Sequence, residues 1–429
     1  MATPTPHSAP HAAPDAATDR IARAADDWLR STDTSALPGV VTGVSTAEQT
    51  VHLGSVGPIA TDSVLALYSV TKSLTATVAL QLVDDGVLDL DAPAAEYEPR
   101  LAGLTVLDGF DDDGTPRLRE PASIPTTRQL LTHTAGFAYA FFDADFTRVA
   151  RAQDLPDVAT GTVESLGTTL MFDPGTRWEY GTNLDWVGLV IEGITGHRLG
   201  DTMTQRLLTP LGMSDTTFAR DGAALARAAV LHARLPDGSL KALRAPTAPD
   251  APPVDMGGQG LYSTIPDVLR FLRLWLRGGR TEDGEQLLRP ETVAAATADQ
   301  LGDLQVTALP GVDPRRTRDA EFFPGIAKGW NLLAMTNETD APTGRRGGSY
   351  GWAGLANVYF WVDPSSGIAG AWGTQLFPFA DPTAMSAALD PAAKLCPVAL
   401  VSPTTEPLST AIVQLAVLLL VALNSTSMP

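Results

Sequence analysis

The sequence predicts an α+β fold in which an antiparallel sheet flanked by helices is split by an inserted, mostly helical lobe. Strand-like runs lie near both ends, at 39–45, 50–54 and again between 328 and 375, while helical periodicity dominates the stretch between them. A chain of 429 residues has ample material for more than one lobe, and it shows no internal repeat. Residues 1–19, rich in Ala, Pro and Thr, lack the charged start and apolar stretch of a secretory signal and read as a disordered tail. A helix is expected from Thr18-Asp19, with Ile21, Ala24 and Trp28 on one face, and then a hairpin from 39–45 and 50–54. Residues 20–67 and 255–390 make up an α/β lobe, and 68–254 the helical lobe, with loops near 111–114 and 173–175. Val268, Leu269, Phe271, Leu272 and Trp275 mark a helix from Ile265 that stops at Gly278-Gly279. Strands return near 328–336 and 355–375. Residues 391–429 form an extension of unassigned role. Its apolar run from Ala411 to Leu423 is shorter than the ~18–20 residues that span a bilayer, so a packed helix is expected there rather than an anchor.

Chemistry first shows at Ser69-Val70-Thr71-Lys72. Val70, Leu74, Val78 and Leu82 form one stripe and Gly86 suits a C′ position, so the segment reads as a helix that Ser69 begins. On a helix, side chains at i and i+3 sit about 5–6 Å apart at Cβ, which brings Lys72 within reach of the Ser69 hydroxyl. Serine needs such a neighbour to become a nucleophile, and the helix start adds free N–H groups and a positive dipole end that suit an oxyanion. A capping serine followed by a solvated lysine fits the same four residues.

A second cluster spans 173–186, where a turn signal leads into a helix from Leu184 and leaves Tyr180 and Asn183 on the connection. A phenol beside a lysine has its phenolate favoured, so it could carry the serine proton to a leaving group. An asparagine amide can orient the lysine or a substrate carbonyl. A packed tyrosine with a capping asparagine is the structural alternative. Farther on, 347–364 reads as a strand whose glycines allow close approach, and its edge can offer an oxyanion a second N–H alongside that of Ser69.

Ser69-Val70-Thr71-Lys72, the 130–136 segment around His133, Tyr180-Gly181-Thr182-Asn183, the 257–264 segment and Trp352-Ala353-Gly354 follow the order found in serine β-lactamase-like hydrolases. From about residue 35 to 385 the chain resembles that family, which joins class C β-lactamases, D,D-peptidases and family VIII carboxylesterases. The likeness is greatest to its statin-pathway acyltransferase and esterase branch, through 106–110, 173–175, 180–186 and 257–260. This resemblance implies a β-lactamase/transpeptidase-like fold and a cofactor-free mechanism with Ser69 as the acyl-carrying nucleophile and Lys72 with Tyr180 as its base pair. It also implies an oxyanion hole built from the N–H groups of Ser69 and Leu355.

Two departures bear on substrate. Trp352 stands where β-lactamases and D,D-peptidases usually carry a lysine or histidine for the substrate carboxylate, and an indole cannot supply that charge. Asn183 follows Tyr180 by three residues instead of two. Both point away from β-lactams and peptidoglycan, toward an uncharged ester or acyl thioester. Asn183, Trp352 and Gly354 are then expected at the substrate, with Tyr139, Phe141 and Phe379 lining an apolar pocket. Hydrolysis of small carboxylic esters is the expected activity and transfer of the acyl group to an alcohol the alternative. A non-catalytic binding domain ranks last, because a binder has no need of Ser69, Lys72 and Tyr180 together.

The net charge of −19 speaks against nucleic acid or an anionic membrane as partner, which leaves a small-molecule ester or acyl donor. Oligomeric state is not legible. Residues 347–351 match the nucleophile-elbow pattern around Ser349, but strand residues follow and the last histidine, His232, precedes it. The histidines show no metal-ligand spacing, and His133 is expected to shape a turn. A single cysteine, Cys396, excludes an intrachain disulfide and fits a reducing, cytoplasmic compartment.

Overall fold

The computed structural model describes residues 16–219, 222–243 and 252–389. Most of the expected N-terminal tail, the extension at 391–429 and Cys396 lie outside the described residues. Helix α1 (Ala16–Ser31) begins inside the stretch expected to be disordered. It has a face to bury: Ile21, Ala25 and Trp28 are in the core, and the Trp28 indole donates to the Ala387 carbonyl at 2.8 Å.

Seven strands make one antiparallel sheet: β1 (Val40–Thr46), β2 (Thr50–Val56), β3 (Lys328–Trp330), β4 (Met335–Asn337), β5 (Tyr350–Gly354), β6 (Val358–Asp363) and β7 (Ile368–Gly373). Their order is β3-β4-β5-β6-β7-β1-β2. Val41 pairs with Gly373 and Thr46 with Ile368, so the hairpin of β1 and β2 docks on β7, and segments more than 300 residues apart in sequence share one sheet. All of β5, β6 and β7 is buried, as expected of strands covered on both faces.

Two strand expectations change. The 347–364 run is two strands, because Asn357 takes φ +59° and its amide donates to the Leu376 and Pro378 carbonyls at 2.8 and 2.9 Å. That fixes a turn at 355–357, so Leu355 sits on the turn and not on a strand. The 328–336 stretch is likewise a hairpin of β3 and β4.

Between the sheet segments lie helices α2 (Thr71–Asp84), α3 (Ala144–Ala152) and α4 (Asn183–Thr195), followed by α5 (Ile265–Leu276) and α6 (Pro382–Leu389). The insertion is not purely helical. Thr105–Phe110, Pro116–Arg119 and Thr169–Leu170 form a small three-stranded sheet in it. Helix α2 is buried from Thr71 to Leu82, all round rather than along one stripe. It can be so because its polar groups find partners: the Thr75 hydroxyl donates to the Gly257 carbonyl at 2.7 Å, and the Thr71 hydroxyl accepts from the Leu261 N–H at 3.1 Å. The 257–261 segment thus forms a backbone cradle for the helix. Leu74, Trp186, Val268 and Trp361 belong to one continuous core across sheet and insertion. Among the described residues, no helix is long and apolar enough to cross a membrane.

Candidate active site

Ser69 lies on a single tight turn, Tyr68–Val70, immediately ahead of α2. Tyr68 takes φ +46°, a backbone state that costs a non-glycine residue about 1–2 kcal/mol. Behind this turn, a Cβ on Gly354 would lie 2.1 Å from the Leu67 carbonyl oxygen, so only glycine lets β5 approach this closely. Gly354 was expected at the substrate. It instead serves this backbone approach and is absent from the cavity wall.

The Lys72 amine is fully buried and meets three oxygens: Ser69 Oγ at 3.2 Å, Tyr139 Oη at 3.0 Å and the Gly258 carbonyl at 2.8 Å. Burial lowers its pKa from the ordinary amine range, and the negative charge of Asp185 opposes that shift. Asp185 sits in the first turn of α4 and accepts from the Gly258 N–H at 2.8 Å. Burial raises its pKa, while Lys72, the Gly258 N–H and a bond from Tyr139 hold it down. A Cβ on Gly258 would fall 2.3 Å from an Asp185 oxygen, so glycine is required where this backbone serves both charged groups.

The phenol of Tyr180 is buried, within hydrogen-bonding reach of Ser69, and accepts from the Trp352 indole N–H at 2.8 Å. Its pKa goes up, because desolvation outweighs both hydrogen bonds. The expected phenolate is therefore disfavoured, and the Tyr180 phenol keeps its proton at neutral pH. Trp352, expected to face substrate, does line the cavity and also holds Tyr180 in place.

Asn183 departs further from expectation. It is the first residue of α4 rather than part of the connection, fully buried, and its amide meets His133 Nδ1 at 2.9 Å instead of the lysine or the cavity. The Gly181 N–H also points to Nδ1, at 3.5 Å, so the ring proton belongs on Nε2. Burial and the nearby Lys72 charge push His133 well below its usual pKa, and its neutral ring packs against Tyr180 at 4.6 Å. Asn183 thus positions Tyr180 through His133.

The structure brings Ser69, Lys72, Tyr180, Tyr139 and Trp352 together. Leu355 and Phe379 join Ser69, Tyr139, Tyr180 and Trp352 on the wall of one cavity with Phe141, Phe142 and Leu309; Lys72 lies behind that wall, and no charged side chain lines it. Asp185 and the Gly258 carbonyl were missed from the sequence. The carboxylate left one signal, a charge set between Leu184 and Trp186 at an apolar helix start, whereas a backbone oxygen leaves none.

Fold and site together define an active-site serine enzyme. The model of the Beta-lactamase family matches residues 19–393, and the chain belongs to that family. It is 30% identical over 341 residues to the Monacolin J acid methylbutanoyltransferase of Aspergillus terreus, covering 76% of this chain and 80% of that protein. It is 31% identical over 357 residues to the Lovastatin esterase of Penicillium rubens, covering 77% and 84%. Among solved structures, unliganded Simvastatin Synthase from Aspergillus terreus superposes with a TM-score of 0.73 at 26% identity, over 90% of this chain and 99% of that one.

Proposed function

We propose that the protein cleaves small, uncharged carboxylic esters through an acyl-enzyme on Ser69, and that an alcohol can replace water as acceptor. The observation that carries this reading is the set of partners of Lys72. A neutral amine has two N–H groups, which the Gly258 carbonyl and Tyr139 Oη accept, and one lone pair, which then faces Ser69 Oγ–H. Burial favours that neutral form. As Ser69 Oγ bonds to the ester carbon, its proton passes to Lys72, and the N–H groups of Ser69 and Leu355 receive the oxyanion. Tyr180 gives its phenol proton to the departing alkoxide and regains one from the Lys72 ammonium. Water or an alcohol then attacks the acyl carbon, with the proton transfers reversed.

The uncharged cavity wall supports neutral substrates, and the names of the relatives support both hydrolysis and transfer. A cytoplasmic, reducing location belongs to the same proposal, supported by the single cysteine. With p-nitrophenyl butyrate, a burst of nitrophenol equal to the enzyme concentration is expected, and added alcohols should divert the acyl group into new esters. Absence of ester turnover, or faster turnover of the β-lactam nitrocefin, would refute the substrate assignment.

Trp352→Phe removes the indole donor from Tyr180. Loss of a bond that steadies developing charge costs about 1.5–3 kcal/mol, so kcat should fall roughly 10- to 100-fold with KM changed far less. Asp185→Asn keeps an acceptor for the Gly258 N–H but removes the charge that raises the Lys72 pKa. The amine then loses its proton at lower pH, and the acidic limb of the kcat/KM profile should move down by about 1 unit. A shift to higher pH would contradict the assignment of Lys72 as base.

A further inference from the structure

We propose that the open groove behind the Tyr139–Phe141 wall holds the bulky apolar half of the substrate, so that little more than the ester group enters the Ser69 cavity; this rests on the esterase reading above. The cavity at Ser69 has about 20 Å³ of free space, room for one water molecule, whereas the groove has about 430 Å³. Tyr139 and Phe141 line both spaces, with their rings stacked at 4.8 Å and 16°. Tyr139 is tied to Lys72, but the Phe141 side chain is held only by packing, including the Arg316 guanidinium 5.9 Å from its ring centre. Turning Phe141 out of the stack joins the two spaces and leaves Tyr139 on the amine.

The groove is built for an uncharged body. Ala138, Phe146, Ala150, Leu155 and Val158 supply its apolar surface. Its inward polar side chains are matched: the Thr147 hydroxyl donates to the Ala140 carbonyl at 2.6 Å, the Ser165 hydroxyl to the Thr162 carbonyl at 2.6 Å, and Arg316 to Asp157 at 2.7 Å, while Arg151 and Asp154, also on the wall, are exposed to water. A ligand there gains by apolar burial and needs to satisfy no buried donor. A long acyl chain and a bulky alcohol share that chemistry.

Two substrate series separate them, p-nitrophenyl acetate against decanoate, and methyl butyrate against the butyrate of a bulky polycyclic alcohol. Ala150→Trp fills the groove from α3 and should lower the bulky-to-small ratio of kcat/KM at least about tenfold in one series, while Phe141→Ala should raise the same ratio. The series that responds tells which half of the ester lies in the groove. If both variants leave both ratios within about twofold of the wild type, the proposal is overturned. Should Ala150→Trp fail to fold, Ala150→Leu and Phe141→Ala decide. If the wild type turns over no ester, the esterase reading has failed, and fluorescence of the neutral probe N-phenyl-1-naphthylamine tests the groove by itself. Binding that the Ala150 variant weakens at least about tenfold supports it, and binding that the variant leaves unchanged, or none at all, overturns it.

Discussion

Lys72→Met is expected to lower kcat/KM for p-nitrophenyl butyrate about 10³- to 10⁴-fold while the protein stays folded. Methionine has nearly the length of lysine and suits a buried site, so the packing of α2 survives. What disappears is the only nitrogen in hydrogen-bond contact with Ser69 Oγ among the described residues. The Gly258 carbonyl and Tyr139 Oη lose a donor, and Asp185 loses the positive charge that favours its ionised form. The carboxyl can take up a proton in answer, so the expected stability cost is about 1–3 kcal/mol, read as a shift in the denaturant midpoint. A variant that is folded and inactive separates a base from a structural lysine. Retention of more than a tenth of the activity would assign the base elsewhere.

Ser69→Ala is expected to have a still larger effect, with kcat reduced by 10⁴-fold or more on the order-of-magnitude scale of nucleophile deletions. Ser69 is only partly buried and its hydroxyl is bonded to Lys72, so stability should change by less than about 1 kcal/mol. Binding of uncleaved ester should persist, because the apolar wall is untouched. The nitrophenol burst should vanish with the turnover, since no alternative nucleophile shares the cavity. Ser349 in particular is buried before β5, where it accepts from the Asn337 amide at 3.1 Å, and a strand follows it, not a helix.

Much of this site was legible because its nucleophile and base are local. Ser69 and Lys72 lie one helical turn apart, and that relation survives any tertiary arrangement. Tyr180 was legible through its ordered neighbours. Asn183 was misplaced because sequence spacing does not say where a buried amide points, and the fold supplies His133 from another segment. The break between β5 and β6 was available in the residues, since Asn at 357 tolerates the left-handed state of a turn, but the β-branched and aromatic run on either side masked it. The protonation states of Tyr180 and Lys72 could not be read from the chain. They follow from burial, and burial of α2 on every side from Thr71 to Leu82 contradicts the one-sided stripe that its sequence suggests.

Covalent acylation of Ser69 can be read by trapping the enzyme with a fluorophosphonate, which forms a stable adduct on an activated serine. Intact-mass and peptide mapping should show one phosphonyl group per chain, on the peptide that contains Ser69, with slow labelling in Lys72→Met and none in Ser69→Ala. Labelling of a different residue, or undiminished ester turnover by Ser69→Ala, would contradict the account.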